Sequence, residues 1–241
     1  MPGVGHLEQR RGTGRAHAPF ARLPAPHGVT LAWAAVPARS APPATLRTAA
    51  EPAGRDRGDG SRARERRAVS RALLRTLLEE RIGPAFALQQ QCGACGSSAH
   101  GPLRVVGAVR GVEVPLVSVS YAHPVPSGDG FPGAAAAEDG IAVVGIAPPG
   151  ATAFGVDAEL DTDGARRAVA EALGTATGIR EWTRLEAVSK ARGSGLPGAG
   201  PDSAAETGPE QRIFDLEFPA LSATAVLSVA LTPARRAPGR R

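Results

Sequence analysis

The chain has 241 residues, enough for one large domain or two small ones with a substantial apolar core. Apolar residues make up 42% and charged residues 21%, as in ordinary globular proteins, and the longest apolar stretch is far too short to cross a bilayer. Because no hydrophobic leader follows the first methionine and only two cysteines are present, we expect neither a membrane protein nor a secreted one. The expected location is the cytoplasm.

The net charge of +5 is unevenly distributed along the chain. Residues 1–81 contain 15 arginines against seven acidic residues, whereas residues 82–241 contain 13 basic against 16 acidic residues. This excess predicts that a polyanion or a phosphorylated ligand binds the first third of the chain. All but one of the 28 basic residues are arginine. The one lysine, Lys190, is therefore a candidate for a role that requires a compact ammonium group, and chance retention of a single lysine is the alternative.

Apolar periodicity and turn residues predict the first elements in chain order. Residues 1–18 lack periodicity, which is typical of a disordered tail. A buried strand is predicted at Val29–Val36, and a flexible insertion follows over 37–62. Apolar side chains spaced by 3.6 residues then indicate an amphipathic helix over Arg64–Ile82.

After a turn-rich loop, the pattern predicts strands at Leu103–Ala108 and Val112–Tyr121, a hairpin of Ile141–Ala147 with Thr152–Leu160, helices at Arg166–Leu173 and Ile179–Arg192, and a strand pair of Arg212–Phe218 with Thr224–Leu231. This order predicts an α+β fold. We expect two pseudo-symmetric subdomains, each a main helix against a small, mostly antiparallel sheet. They are assigned to an N-terminal half over 19–125 and a C-terminal half over 126–234, with a basic tail over 235–241.

Two carboxylates lie on one predicted strand. Asp157 and Glu159 are two residues apart, so their side chains point to the same face of that strand. Neighbouring carboxylates repel each other unless a cation or a proton lies between them, and Mg²⁺ prefers oxygen ligands and phosphate. A calcium loop is the alternative, because residues 159–164 resemble the start of an EF-hand. Its twelfth position is Ala170, however, where a bidentate Glu is needed.

One face of the helix predicted at 179–192 combines an aromatic residue, an acid and the lone lysine. Trp182, Glu186 and Lys190 are each four residues apart and share that face. A solvated ion pair is the ordinary explanation of a Glu–Lys pair at this spacing. The combination of the only lysine with a large aromatic residue, followed by the glycine-rich segment 193–195, favours a functional role.

Two further clusters carry candidate ligand groups. An arginine row on the predicted helix would suit a phosphomonoester, although a solvated helix face has the same pattern. The row consists of Arg64, Arg66, Arg67, Arg71 and Arg75, with Arg55, Arg57 and Arg62 just upstream. In the loop that follows the helix, Cys92, Cys95 and His100 could supply three zinc ligands, and a loop with adventitious thiols is the alternative.

The acidic strand and the lysine helix together resemble the 4′-phosphopantetheinyl transferase superfamily, in particular the larger surfactin-synthetase-activating type with two halves in one chain. Gly155–Glu159 (GVDAE) is similar to the family's G-[VI]-D-x-E, and Trp182–Lys190 (WTRLEAVSK) is similar to W-x-x-[KR]-E-[AS]-x-x-K. Both motifs occur in the family's order. A fainter similarity extends over residues 28–231 and includes the S-x-S strand end at Ser118–Ser120.

The resemblance implies transfer of phosphopantetheine from coenzyme A to a serine hydroxyl of an apo acyl or peptidyl carrier protein, with release of adenosine 3′,5′-bisphosphate. It assigns Mg²⁺ to Asp157, Glu159 and Glu186. Glu186 is also the implied base for the incoming serine, and Lys190 contacts a phosphate. Such a transfer mainly needs positioning and charge neutralisation, which a metal and one ammonium supply. The implied protein is a monomer that binds neither nucleic acid nor a membrane.

The implied contacts to coenzyme A are Arg62, Arg64, Arg66, His100, Ser120, Tyr121 and Lys190. This chain departs from the family pattern at three places. Many relatives have a histidine where Tyr121 stands, the family's G-K-P corresponds to His100-Gly101-Pro102 without the lysine, and Leu185 replaces a basic residue. These departures concern affinity for the coenzyme more than the type of reaction.

An alternative function is a non-catalytic module that binds RNA or DNA through the amino-terminal arginines. It explains the uneven charge but gives the acids and the lysine no role. Only Phe20 and Trp33 precede residue 82 as aromatic residues on which bases could stack. A third interpretation is a degenerate relative of the transferases that binds coenzyme A without turnover.

Overall fold

The computed structural model describes residues 20–36, 59–92, 95–98, 101–107, 111, 113–124, 140–173, 178–193 and 210–234. The predicted tails at 1–18 and 235–241, most of the insertion at 37–62, and His100 lie outside these residues. The described part contains nine strands and three helices. None of these helices has the length and apolarity needed to span a membrane.

The first layers of the fold are a helix and a four-stranded antiparallel sheet with the strand order β1-β2-β6-β5. The elements are β1 (Phe20–Leu23), β2 (Thr30–Val36), α1 (Asp59–Ile82), β5 (Val117–Ala122) and β6 (Gly140–Ile146). Helix α1 packs Leu74 and Leu78 against one face of this sheet, where they meet Val144 of β6. Strand β6 is central and covered on both faces, which explains its uninterrupted apolar run.

The second sheet has three antiparallel strands in the order β7-β9-β8. They are β7 (Ala151–Leu160), β8 (Arg212–Ala220) and β9 (Ala223–Pro233). Helices α2 (Asp163–Leu173) and α3 (Ile179–Arg192) cover its outer face. A small hairpin of β3 (Ala87–Gln90) and β4 (Leu103–Val106) completes the described elements.

The main core lies between the inner faces of the two larger sheets. Leu31 and Val143 of the first sheet belong to one buried cluster with Val156 and Leu227 of the second. The layers therefore run from α1 through the two sheets to α2 and α3. Because side chains alternate along a strand, β7 turns its apolar side chains toward this core and turns Asp157 and Glu159 toward α3.

The structure confirms the α+β class, and the pseudo-symmetry of the two halves stays a prediction. The predicted hairpin of Ile141–Ala147 with Thr152–Leu160 is wrong, because β6 pairs with β2 and β5 while β7 pairs with β9. Strand β6 belongs to the first sheet, and the division into halves over 19–125 and 126–234 stays a prediction. The Pro-Pro-Gly turn at 148–150 leads from one sheet to the other instead of closing a hairpin.

Candidate functional site

The close contact between β7 and α3 begins at Gly155. A Cβ atom added there would lie 2.1 Å from the Ala187 carbonyl oxygen and 2.6 Å from the Ala191 backbone nitrogen. Only glycine allows the helix backbone to approach the strand so closely. Because Gly155 shares a face of β7 with Asp157, this approach brings the side chains of α3 over the acidic strand. Helix α3 ends at Gly193, which adopts a left-handed conformation with φ 71° just beyond Lys190.

Asp157 is the centre of the site and is almost completely buried, with 6% of its side chain exposed. Its Oδ1 accepts hydrogen bonds from Lys190 Nζ at 2.6 Å and from Ser120 Oγ at 2.7 Å. Its Oδ2 is buried and has no hydrogen-bond partner among the described residues. An orphaned carboxylate oxygen of this kind is costly unless a further ligand satisfies it.

Glu159 lies on the same face of β7 as Asp157, two residues further along the strand. Burial and the charge of Asp157 raise the pKa of Glu159 to about 8, and the charge of Glu186 adds to this effect. The Lys190 ammonium and a hydrogen bond from the Trp182 indole act in the opposite direction. The carboxyl group therefore lies where a negative charge is unfavourable without an additional cation.

Glu186 is half-buried on α3, one turn before Lys190. Burial and the charge of Asp157 raise its pKa, against the opposing effect of Lys190. The structure thus brings Asp157, Glu159, Glu186 and Lys190 within electrostatic reach of one another. Within the described ranges, however, no three acidic, histidine or cysteine side chains are close enough to hold a metal ion as they stand.

The arginine helix reaches the site through Tyr121 on β5. The Arg66 guanidinium lies over the Tyr121 ring, 5.8 Å from its centroid. The Tyr121 hydroxyl is 2.6 Å from the hydroxyl of Ser70, which donates to the Arg67 carbonyl at 3.2 Å. Burial raises the pKa of Tyr121, so the phenol stays protonated at neutral pH.

The other residues predicted to contact coenzyme A lie on different faces of β5 and α1. Ser120 and Tyr121 are neighbours on β5, but their side chains point to opposite faces, Ser120 toward Asp157 and Tyr121 toward α1. Arg64 is exposed on α1. Arg62 also belongs to α1, but its side chain lies outside the described part of the chain.

A second polar network attaches α3 to the far strand of its sheet. Asp215 of β8, whose side chain is 7% exposed, accepts hydrogen bonds from Arg184 at 2.5 Å and from Ser228 at 2.9 Å. Ser228 in turn shares a 2.7 Å hydrogen bond with the fully buried Thr183 of α3. Arg180 pairs with Asp215 at 3.4 Å. These bonds fix the rotation of α3 about its axis, and with it the direction in which Glu186 and Lys190 point.

No protein-family model, curated protein or solved structure matches this chain. Its function is therefore inferred from the residues and geometry of the site.

The cysteine loop is described only in part, over 91–92, 95–98 and 101–102. Cys92 is half-buried and Cys95 is exposed, and both are thiols. The predicted zinc alternative includes His100 and so falls partly beyond the residues that the structure describes.

Sequence reasoning missed three groups that hold the site together. Ser120 was predicted as a contact of coenzyme A and Ser118 only as part of a half-buried strand, and their shared face of that strand was the available signal of a structural role. Asp215 stands on a strand among apolar residues, and such a position gives no indication of its partners on α3. The role of Thr183 depends on a contact 45 residues away in the chain, which no local pattern contains.

Proposed function

We propose that this protein transfers the 4′-phosphopantetheine group of coenzyme A to a serine of an acyl or peptidyl carrier protein. The observation that carries this proposal is the placement of three carboxyl groups and the lone lysine within electrostatic reach of one another. Asp157 and Glu159 come from a strand, and Glu186 and Lys190 from a helix that contacts it. The motif resemblance and this arrangement support the same reaction.

The donor set has the oxygen chemistry that suits the Mg²⁺ required by the reaction, and its three carboxyl groups would have to move closer together to bind one ion. Asp157 presents a buried Oδ2 without a hydrogen bond in the described structure, and two further carboxyl groups with raised pKa values lie nearby. Asp157, Glu159 and Glu186 would hold the ion, because hard oxygen donors are the ligands that Mg²⁺ prefers. Mg²⁺ supplies neutralisation of the diphosphate charge when bound.

Glu186 and Lys190 have separate tasks in the proposed reaction. Glu186 accepts the proton of the carrier serine, for which a carboxylate with a raised pKa is suited. The serine oxygen forms a bond to the phosphorus that carries the pantetheine, and the anhydride bond to the adenosine bisphosphate breaks. Lys190 donates hydrogen bonds to the phosphate oxygens on which negative charge develops. The side chain already lies within the site, held by Asp157.

The adenosine bisphosphate portion of the coenzyme is proposed to bind along the α1 side of β5. Arg66 and the Tyr121 phenol lie together there, and Arg64 is exposed nearby on the same helix. Guanidinium groups bind phosphomonoesters through charge-assisted hydrogen bonds. The contacts assigned to Arg62 and His100 remain part of the proposal, as do the cytoplasmic location and the monomeric state.

The decisive experiment is incubation of the purified protein with coenzyme A, MgCl₂ and apo carrier proteins, followed by intact mass spectrometry. We expect the carrier to gain one phosphopantetheine group, and we expect EDTA to prevent the gain. A carrier whose acceptor serine is replaced by alanine is the control. No gain across a panel of acyl and peptidyl carriers contradicts the proposal, as does calorimetric binding of coenzyme A without turnover.

The nucleic-acid alternative is tested on the same preparation. A module of that kind binds RNA or DNA with an affinity that falls steeply with salt, and it does not bind coenzyme A. We expect the opposite: binding of coenzyme A, and only weak, salt-sensitive attraction to nucleic acid.

A further inference from the structure

The two large sheets meet along their edge strands, β5 and β7, and serine hydroxyls make the connection. The Val156 backbone N–H donates to Ser118 Oγ at 3.0 Å, and the Ala158 N–H donates to Ser120 Oγ at 3.1 Å. The hydroxyls thus take the place that backbone carbonyls have in a strand ladder. Both serines are buried, so the two contacts are alike in type and environment.

Ser120 differs from Ser118 in its additional partners. Its hydroxyl donates to Asp157 Oδ1 at 2.7 Å and accepts a second hydrogen bond, from Lys190 Nζ at 3.2 Å. A serine hydroxyl has one hydrogen to donate and two lone pairs that accept. Ser120 uses all three, so it keeps no donor for a phosphate of coenzyme A.

We infer that Ser120 is a positioning residue, which holds the Asp157 carboxylate by Oδ1 so that Oδ2 stays available to a metal ion. The inference rests on the proposed function and changes the role of Ser120 from a coenzyme contact to a support for the metal site. The same hydroxyl connects the first sheet, the acidic strand and the lone lysine at one point. The site is therefore complete only when β5 is packed against β7.

Loss of this support should have a measurable effect on metal binding. A carboxylate that is fixed by a hydrogen bond binds a metal ion without first losing rotamer freedom, and loss of such an outer partner typically weakens metal binding by about 10–100-fold. Removal of the Ser120 hydroxyl also leaves the Ala158 N–H without its hydrogen bond. Removal of the Ser118 hydroxyl has only the equivalent effect, on the Val156 N–H. The matched comparison of the two serines separates positioning from sheet packing.

The test uses the whole protein with the variants Ser120→Ala, Ser118→Ala and Ser120→Thr, titrated with MgCl₂ by calorimetry and assayed for transfer. We expect Ser120→Ala to weaken Mg²⁺ binding about tenfold or more, and to lower kcat rather than raise KM for coenzyme A. Ser118→Ala should bind Mg²⁺ like the wild type, although both alanine variants lower the melting temperature. Ser120→Thr keeps the hydroxyl and should restore most of the affinity.

Wild-type Mg²⁺ affinity in Ser120→Ala overturns the inference, and so does an equal loss in both alanine variants. If Ser120→Ala does not fold, Ser120→Cys is measured in its place, because a thiol fills the space but donates weakly. Unchanged Mg²⁺ affinity in Ser120→Cys also contradicts the positioning role of Ser120. If the wild-type protein binds no Mg²⁺ and transfers nothing, the proposed function is contradicted. If the wild type binds Mg²⁺ and transfers the group, and the serine variants do so equally well, only the positioning role of Ser120 is contradicted.

Discussion

Lys190 Nζ lies 2.6 Å from Asp157 Oδ1 and joins the end of helix α3 to the middle of strand β7. The two residues are 33 positions apart in the chain, and the contact places the only lysine beside the most buried acid of the site. Because Ser120 binds the same carboxylate oxygen, the ammonium neutralises one side of Asp157 and leaves the other free of hydrogen bonds within the described structure.

Replacement of Glu186 by glutamine is expected to abolish transfer and to leave the fold intact. The amide keeps the shape of the side chain but can neither accept the serine proton nor supply a negative charge, and loss of a general base typically costs about 10²–10⁴-fold in rate. The mass-gain assay measures the loss, and circular dichroism checks the fold. Glu181→Gln, an exposed change on the same helix, should transfer at the wild-type rate. Wild-type rates in Glu186→Gln would remove the role as base.

Replacement of Lys190 by methionine should lower both stability and activity. The buried Asp157 then loses a charged partner, and an unsatisfied buried group costs about 1–3 kcal/mol. Chemical denaturation of the metal-free protein measures this change. Since a cation at Asp157 compensates for the lost ammonium, we expect MgCl₂ to restore part of the stability. Arg167→Met, at an exposed position of α2, is the control and should change little. Equal stability of Lys190→Met and wild type would contradict the importance of the ion pair.

Insertion of a methyl group at Gly155 is expected to displace α3. The Cβ of Gly155→Ala would collide with backbone atoms of the helix, which cannot move independently. Overpacking of this kind costs about 1–3 kcal/mol or more, and the shift separates Lys190 from Asp157. Thermal unfolding and the transfer assay should both show the loss. In Gly178→Ala the new Cβ meets only the end of the flexible Glu181 side chain, so this variant should be nearly neutral. Similar losses in both variants would speak against a specific role for the close approach.

The pH dependence of stability should contain a contribution from Asp215. Burial alone would raise the pKa of Asp215, but hydrogen bonds from Arg184 and Ser228 and the arginine charges outweigh it and lower the pKa below its usual 3.8. The folded state then binds the proton less readily than the unfolded state. This contribution is therefore fully present above pH 3.8 and is lost as the pH falls through the folded-state value.

Asp215→Asn tests this contribution by urea denaturation at several pH values. The variant should be less stable than the wild type by about 1–3 kcal/mol at pH 7, and the difference should shrink as the pH falls below 3.8. Glu171→Gln, an exposed change on α2, should show no such trend. A difference that is constant with pH would rule out the lowered pKa as its cause.

Local patterns predicted the elements that bury a regular apolar face. The bounds Ile179–Arg192 of α3 agree with the prediction, and the β8–β9 pair was expected. The acidic face of β7 was predicted because alternation along a strand is a local property. The short strands β1 and β3 were missed, since β1 borders prolines and β3 is half glutamine.

Contacts between distant segments could not be predicted in the same way. Strand β6 joins the first sheet because it pairs with β5 and with β2, which lies far from it in the sequence. The Pro-Pro-Gly turn that follows β6 is compatible with either a hairpin or a connection between two sheets. The hydrogen bonds of Ser120 join residues 37 and 70 positions apart. Such pairings follow from the packing of whole sheets, and the local patterns of a single sequence contain no direct sign of them.

The two tryptophans stand at separate places in the layered structure. Trp33 packs against Phe218 across the sheet interface, with ring centroids 5.4 Å apart, whereas Trp182 lies close enough to Glu159 to lower the pKa of its carboxyl group. Their intrinsic fluorescence can therefore report on two events in one unlabelled molecule. In a Trp33→Phe background the remaining emission follows occupancy of the acidic cluster. In a Trp182→Phe background it follows separation of the sheets.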